Sequence, residues 1–369
     1  MSSRGLTGEC VGPGKTTFSL QRGFECDKNG KFLINLWLLL LFAISGIGLQ
    51  AAKLFVTVNP DHRLILVCRT EKAAQEAAAR LCAESRINGS VPPTIIPMSC
   101  DHARLESVKS FAERLPRILE DTYNPLKFEQ RGVDVLCLNA AILRAKDSPV
   151  VFTEDGLEVT FQTNALSPFL IAHMTMGLMN PGGRVVISTS GLYTHTSLCL
   201  EGMMDGSRRK ARKGFEMIDG SEFHFKRSYA LSKVCNVALT IALQQRLASM
   251  NVIVNCFSPG LMMTSGLFRH QTEEDLANAL SHSKFVRQNE KSVEWGGGAL
   301  AFMALSEEAG AANGMYWSDT DSRKGDKAEY GIDFSPCPIS RDAISQQCTE
   351  DLWHLFCQLA EVPTDALLN

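Results

Sequence analysis

Apolar, β-branched runs alternate with helical patterns along most of this chain, and that alternation limits the fold more than any other feature. Candidate strands run over 63–68, 94–98, 133–138, 184–189, 252–257 and 314–317. Candidate helices run over 46–55, 71–84, 103–120, 155–178, 225–248 and 291–305. Strands that are apolar along their whole length are buried on both faces, and a helix between each pair supplies the crossover that parallel pairing requires. The pattern predicts an α/β chain with a Rossmann-type, doubly wound parallel sheet. There is no internal repeat. The 369 residues exceed one typical domain, but a doubly wound domain with insertions holds roughly 250 to 300 residues alone.

Composition closes off several other classes. The hydrophobic share of 45% supports a sizeable core, and a net charge of −3 argues against nucleic acid as a partner. Twelve cysteines are scattered with no Cys-x-x-Cys pair. They read as free thiols in a reducing, cytoplasmic setting rather than as a zinc site or a disulfide framework. The eight histidines show no ligand spacing, so no metal is expected. Asn88-Gly89-Ser90 matches a glycosylation triplet that arises often by chance.

Six short segments carry chemistry. Ser45-Gly46-Ile47-Gly48 opens a helix, where free backbone N–H groups of Ser45 and Ile47 suit a pyrophosphate. The second strand ends at Arg69, the place where an arginine meets a 2′-phosphate and an acidic residue would meet a ribose diol. One strand ends in Asn139-Ala140-Ala141, another in Ser188-Thr189-Ser190-Gly191, and a third in Pro259-Gly260 with Thr264 four residues on. Tyr229 and Lys233 are four apart on a helical pattern and share one face. A tyrosine is a poor acid–base catalyst at its ordinary pKa of about 10, and a neighbouring ammonium favours the phenolate.

In that order these pieces, with Asn164 inside the 155–178 helix, resemble the short-chain dehydrogenase/reductase family from residue 44 to residue 320. Tyr229-Ala-Leu-Ser-Lys-Val-Cys-Asn and Arg184-Val-Val-Ile-Ser-Thr-Ser-Gly-Leu are similar to the branch holding retinol dehydrogenases, the WW-domain oxidoreductase and light-dependent protochlorophyllide reductases. The resemblance implies that Tyr229 exchanges a proton with the substrate oxygen. Lys233 lowers its pKa and binds the nicotinamide ribose. Ser190 bonds the substrate oxygen, with Ser188 and Thr189 as fallbacks. Asn164 holds a helix distortion and a water relaying protons to Lys233. Asp101, next to an unusual His102, contacts adenine; Asn139 closes over the adenine ribose side; Pro259, Gly260 and Thr264 face the nicotinamide.

Three regions depart from the family pattern. The first glycine position holds Phe42, with Leu41 where threonine is expected. A ring there stands where cofactor or backbone should pass. Three readings of the start compete: a membrane anchor over 32–49, a strand over 36–41 with a degenerate loop, or a non-native segment over 6–43. Residues 191–225 form an insertion carrying Arg208, Arg209, Lys210, Arg212 and Lys213, read either as a solvated loop or as a lip touching anionic lipid. A tail after Ser322 ends in an amphipathic stretch over 352–359, expected as a surface helix. The organisation expected is an atypical segment over 1–43, a Rossmann-type domain over 44–320 and a C-terminal extension over 321–369.

The function expected is NADP(H)-dependent interconversion of an alcohol and a carbonyl on a small lipophilic substrate, with peripheral or anchored membrane contact. The pocket would lie under 191–225 and 261–285, where Met262, Met263, Leu267 and Phe268 line it or serve as helix core. A scaffold that has lost its cofactor and a protochlorophyllide reductase-like enzyme are the rivals.

Overall fold

A computed structural model of the chain describes residues 36–41, 46–59, 61–87, 93–122, 132–200, 202, 211, 213–282, 290–321, 329–339 and 344–364. Phe42 to Ser45, the Asn88–Ser90 triplet, and Arg208, Arg209, Lys210 and Arg212 lie outside them.

Eight strands form one sheet in the order β3-β2-β1-β4-β5-β6-β7-β8. The strands are β1 (Trp37–Leu41), β2 (Arg63–Cys68), β3 (Thr94–Ser99), β4 (Val133–Leu138), β5 (Met179–Ser188), β6 (Ile253–Phe257), β7 (Tyr316–Asp321) and β8 (Glu329–Cys337). All neighbours pair in parallel except β8, which runs antiparallel to β7. This is the doubly wound sheet that the alternation predicts. Its strand order reverses between β1 and β4, and ligands of such sheets bind at the carboxyl ends beside that point.

The period of two along each strand sorts the core into two layers. Trp37, Leu39, Ile65, Val67, Leu136, Val185 and Ile187 face one layer. Helices α3 (Leu105–Asp121), α5 (Ser167–Thr175) and α6 (Phe225–Arg246) cover it. Leu38, Leu64, Leu66, Val135, Cys137 and Val186 face the other. It is covered by α1 (Gly46–Val58), α2 (Glu71–Ile87) and α8 (Val293–Leu305). The short α4 (Val159–Phe161) precedes α5, α7 (Glu273–His282) follows β6, α9 (Glu307–Gly310) follows α8, and α10 (Gln346–Ala360) ends the described chain.

Helix α8 approaches α1 more closely than side chains permit. A Cβ on Gly297 would stand 2.3 Å from Gln50 Cβ and 3.0 Å from the Ala51 backbone nitrogen. Glycine there fixes the position of α1, and with it the helix start that faces the sheet's carboxyl edge.

Several expectations need correction. Of the three readings of the start, the strand over 36–41 agrees with the structure: Trp37–Leu41 is a central strand, with Leu39 paired to Ile65 on one side and Leu136 on the other. A strand hydrogen-bonded on both sides is not a membrane span, and among the described residues no helix is long and apolar enough to cross a bilayer. The sheet thus begins before residue 44. The expected 155–178 helix is broken by a π-helical turn over Gln162–Leu166. The described part of the 191–225 insertion is not simply solvated: Tyr193, Phe215, Met217 and Ile218 are buried in the main core, while Lys213 is exposed. The C-terminal helix is no surface appendage either. Leu352, Trp353, Leu355 and Phe356 of α10 pack into the same core, and the Phe356 ring meets Phe161 and Phe169 edge-on at 5.6 and 5.2 Å. Arg246 anchors it, with two bonds to Glu350 and its guanidinium 3.9 Å from the Trp353 ring centre. The ten cysteines among the described residues are free thiols.

Candidate active site

Helix α6 is buried along nearly its whole length because the sheet lies on one side and α5 and α10 on the other. Tyr229 and Lys233 sit one turn apart on it, 8% and 1% exposed. Lys233 Nζ lies 5.5 Å from the centre of the Tyr229 ring and donates to the Ser188 carbonyl at 3.0 Å. Ser190, at the end of β5, is hydrogen-bonded to the Tyr229 side chain. Its Oγ also accepts the Leu192 N–H at 3.3 Å, capping a short 3-10 turn over Gly191–His195. The fallback residues are engaged elsewhere. Ser188 Oγ donates to Asn139 Oδ1 at 2.8 Å, and Thr189 Oγ1 donates to the Lys233 carbonyl at 2.9 Å.

Asn164 stands in the π turn, and its distortion expected from the resemblance is present. The amide pairs with the backbone of Ile142, accepting its N–H at 2.8 Å and donating to its carbonyl at 2.9 Å. It also donates to Ser232 Oγ at 3.1 Å. One side chain thereby joins the π turn, the loop after β4 and α6. The next carbonyl back, of Thr163, faces His102 Nδ1 at 3.3 Å. His102 is the buried brace that ties the end of β3 to this turn.

Electrostatics differ from the sequence expectation. Burial is the larger influence on Tyr229 and pushes its hydroxyl above the ordinary tyrosine range, while the Ser190 hydrogen bond opposes it. Lys233 is desolvated as well. Burial brings its ammonium down to about 7, so its charge is only partly present at neutral pH. An ammonium has three N–H groups, and among the described residues Lys233 donates one of them, to Ser188 O. Hydroxyl acceptors placed beside it would favour the charged form and so lower the barrier to a phenolate.

Glu158 belongs to the site and was not visible as such in the sequence. Its carboxylate is 1% exposed, accepts the Thr160 and Phe161 N–H groups at 2.8 Å each, and accepts Ser228 Oγ at 2.8 Å. Burial holds it above the usual carboxylate range against those bonds. It fixes the start of α4 against the residue preceding Tyr229. A carboxylate three residues before a helical amide that needs a cap was the available signal.

The remaining predicted residues lie at the carboxyl edge of the sheet. Gly46 opens α1 with φ of 62°, a backbone that suits glycine, and Gly48 is buried behind it. Ile47 is half-buried there. Arg69 is exposed after β2. Asp101 accepts the Ala103 N–H at 3.0 Å and so shapes the turn before α3. Gly260, with φ of 79°, follows Pro259 at the end of β6, and Thr264 is exposed. Met262 and Met263 are buried, and a Cβ on Gly296 would meet Met262 Sδ at 2.6 Å, so Met262 is packing between β6 and α8. Among the described residues no group of side chains is placed to hold a metal. The helix start at Gly46, the N–H groups of Lys233 and the arginine after β2 fit a phosphorylated dinucleotide laid along this edge.

Comparisons with known proteins agree with this geometry. A family model described as short chain dehydrogenase matches residues 38–199. Retinol dehydrogenase 14 of Mus musculus is 28% identical over 288 residues, covering 75% of this chain and 75% of that protein. The WW domain-containing oxidoreductase of Homo sapiens is 28% identical over 86% of this chain and 66% of its own length. Protochlorophyllide reductase of Cucumis sativus is 29% identical over 75% of this chain and 68% of its own length. Among solved structures, a short chain dehydrogenase from Burkholderia cenocepacia in complex with NADP superposes with a TM-score of 0.54 at 20% identity, covering 77% of this chain and 95% of that one. The angucycline C-6 ketoreductase LanV with bound NADP gives 0.55 at 20% identity, over 78% and 94%. Over residues 38–199 the chain is similar to the short-chain dehydrogenases, and over three quarters or more of its length to the retinol dehydrogenases, the WW domain-containing oxidoreductases and the protochlorophyllide reductases.

Proposed function

We propose that this protein is an NADP(H)-dependent oxidoreductase that interconverts an alcohol and a carbonyl on a small, lipophilic substrate. The observation that carries the reading is the Ser190–Tyr229 hydroxyl pair with the buried Lys233 ammonium beneath it. Such a pair moves one proton at one oxygen. In reduction the Tyr229 hydroxyl gives its proton to the substrate carbonyl oxygen; in oxidation it takes the alcohol proton. Ser190 Oγ donates to the same oxygen as charge develops on it. Lys233 steadies the phenolate, and its own depressed basicity lets it take a proton on at neutral pH. Asn164 keeps the π turn, the β4 loop and α6 in register, and a proton path through water toward Lys233 belongs to the same proposal.

The nicotinamide cofactor supplies or accepts the hydride when bound. Ser45, Gly46, Ile47 and Gly48 would hold its pyrophosphate, Arg69 the 2′-phosphate and Asp101 the adenine. Asn139 would cover the adenine ribose, Tyr229 and Lys233 the nicotinamide ribose, and Pro259, Gly260 and Thr264 the nicotinamide side. NADP in two solved neighbours supports the cofactor, and relatives named retinol dehydrogenase support a lipophilic alcohol. A cytoplasmic setting rests on the free cysteines.

The test is NADPH and NADH titration of the full chain followed by turnover of a carbonyl panel, with Tyr229→Phe alongside. The variant should bind NADPH as the parent does and lose about 10²- to 10⁴-fold in turnover. Absence of NADPH binding by the full chain would sink the reading and favour a scaffold that keeps the fold, for which Phe42 at the first glycine position is the ready cause.

A further inference from the structure

The segment after β6 makes an excursion whose two ends are fixed together. It leaves at Gly260, and Leu261 pairs as a parallel bridge with Glu290. Lys291 N–H donates to the Leu261 carbonyl at 2.7 Å, and Lys291 Nζ meets the Asp319 carboxylate at 2.8 Å in a nearly buried ion pair. From this stem the stretch Gly266–Gln271 crosses the carboxyl edge of the sheet. At one end Gly266 lies against the start of α1: a Cβ on Gly46 would come within 3.9 Å of Gly266 N. At the other end Gln271 Nε2 donates to the Arg144 carbonyl in the loop after β4 at 2.7 Å. The strap therefore spans the interval between the first helix and the fourth strand, which is where the sheet order reverses.

The strap brings cations to that interval. Arg269 is exposed and curls back so that its guanidinium donates to the Gly266 carbonyl at 2.7 Å. Arg144 is half-buried, and its Nε is enclosed without a hydrogen-bond partner among the described residues. Arg269 is held below its ordinary value by burial and then by the charge of Arg69. His270 is lowered by burial and then by Arg269 and Arg144. Among the described residues none of Arg69, Arg144 and Arg269 forms an ion pair with a carboxylate. Asp275, in the acidic first turn of α7, is hydrogen-bonded to Thr272 instead. Gathered cations with no counter-charge repel one another, and an anion placed among them removes that repulsion.

We propose that the Gly266–Gln271 strap reads the charge of the dinucleotide: Arg269 from the strap and Arg144 from the β4 loop join Arg69 to bind a phosphomonoester on the adenosine ribose and so select NADPH over NADH. The inference rests on the NADP(H) reading above and adds residues to it. Two guanidinium forks from different elements can grip one phosphate dianion bidentately, which an unphosphorylated ribose cannot reward.

The test uses the full chain and four probes: NADPH, NADH, adenosine 2′,5′-bisphosphate and 5′-AMP. Arg269→Ala is the primary variant because the side chain is exposed and its loss leaves no cavity; Arg144→Gln keeps length while removing charge. Each variant should weaken NADPH and the bisphosphate by roughly 10- to 100-fold and leave NADH and 5′-AMP within about twofold. Tryptic cleavage after Arg269 should slow when NADPH is added and less when NADH is added. Equal weakening of phosphorylated and unphosphorylated probes would make the strap a structural element only and overturn the proposal. So would an Arg269→Ala variant that behaves as parent while Arg69→Ala loses the NADPH preference, a result that leaves the NADP(H) reading intact. If the full chain binds none of the four probes, that reading falls and this inference falls with it.

Discussion

Lowering the pH from about 7 to about 4.5 is expected to unfold this protein through two buried histidines. His62 and His102 are 2% and 1% exposed, and burial holds each at about 4 against an ordinary 6.5. Each site is built around a neutral ring. His62 Nδ1 accepts the Leu36 N–H at 3.1 Å, just before β1, which a protonated Nδ1 does not do. His102 holds the end of β3 to the π turn. Between pH 4 and pH 6.5 the unfolded chain binds both protons while the native chain binds neither. Stability therefore rises with pH in that window; it is fully present above 6.5 and is lost as the pH falls through 4. Each ring contributes about 1.4 kcal/mol per pH unit, so the pair gives about 2.7, with a ceiling of about 7 kcal/mol across the window. Domains are stable by about 5–15 kcal/mol, so these two rings alone can bring the fold to its midpoint. Urea unfolding followed by tryptophan fluorescence and far-UV circular dichroism across the window measures the slope. The control is His62→Asn with His102→Asn, because an asparagine can accept from Leu36 and donate to Thr163 without titrating. The double variant should lose about two protons from the slope. An unchanged slope would refute the reasoning.

Three further outcomes follow from the packing. Lys233→Met should abolish turnover yet raise stability: burial depresses the lysine from 10.5 to about 7, so the cost of enclosing it is full below pH 7 and fades toward 10.5. Denaturation at neutral pH should show a gain of about 2–4 kcal/mol that shrinks as the pH is raised. Gly297→Ala should cost about 1–3 kcal/mol, since the added methyl meets backbone as well as Gln50, and should weaken NADPH binding by displacing the start of α1. Phe356→Ala should cost about 3–5 kcal/mol and lower one cooperative transition rather than split it, because α10 shares the main core; two separate transitions would contradict that.

Sequence and structure agree where a residue's type is enough to state its job. Strand β4 reads Val-Asp-Val-Leu-Cys-Leu, and β2 reads Arg-Leu-Ile-Leu-Val-Cys; both were legible because burial on two faces leaves no polar alternation to confuse. That Tyr229, Lys233 and Ser190 come together is legible because their spacing is local or ends a strand. The supports were not. Glu158 reaches Ser228 across 70 positions, and Asn164 reaches Ser232 across 68. No periodicity encodes those pairings; only the packing of α4 and the π turn on α6 creates them. Helix α10 reads as a surface element from its amphipathic stretch over 352–359, and the chain alone does not reveal that the main core leaves a face for it. Arg269 and Arg144 lie 125 positions apart by their numbers and become one feature only when the strap crosses the sheet edge.

The same distinction explains how the fold stands with titratable groups enclosed in it. Lys233 is enclosed with its basicity depressed, and Glu158 is enclosed with its acidity weakened, so both are costs to stability that an apolar core would avoid. Neither is left bare. Lys233 shares the Ser188 carbonyl with Asn236 Nδ2, at 3.0 and 3.3 Å, and Glu158 takes three donors. These partners come from β5, α4 and α6, elements whose outer faces are apolar and deeply packed. A titratable group placed there is held in one position, because any rotation would strand a charge in hydrocarbon. The burial that destabilises Lys233 is thus what fixes Nζ beneath Tyr229, and a lysine moved to the surface would regain its ordinary pKa and lose its aim.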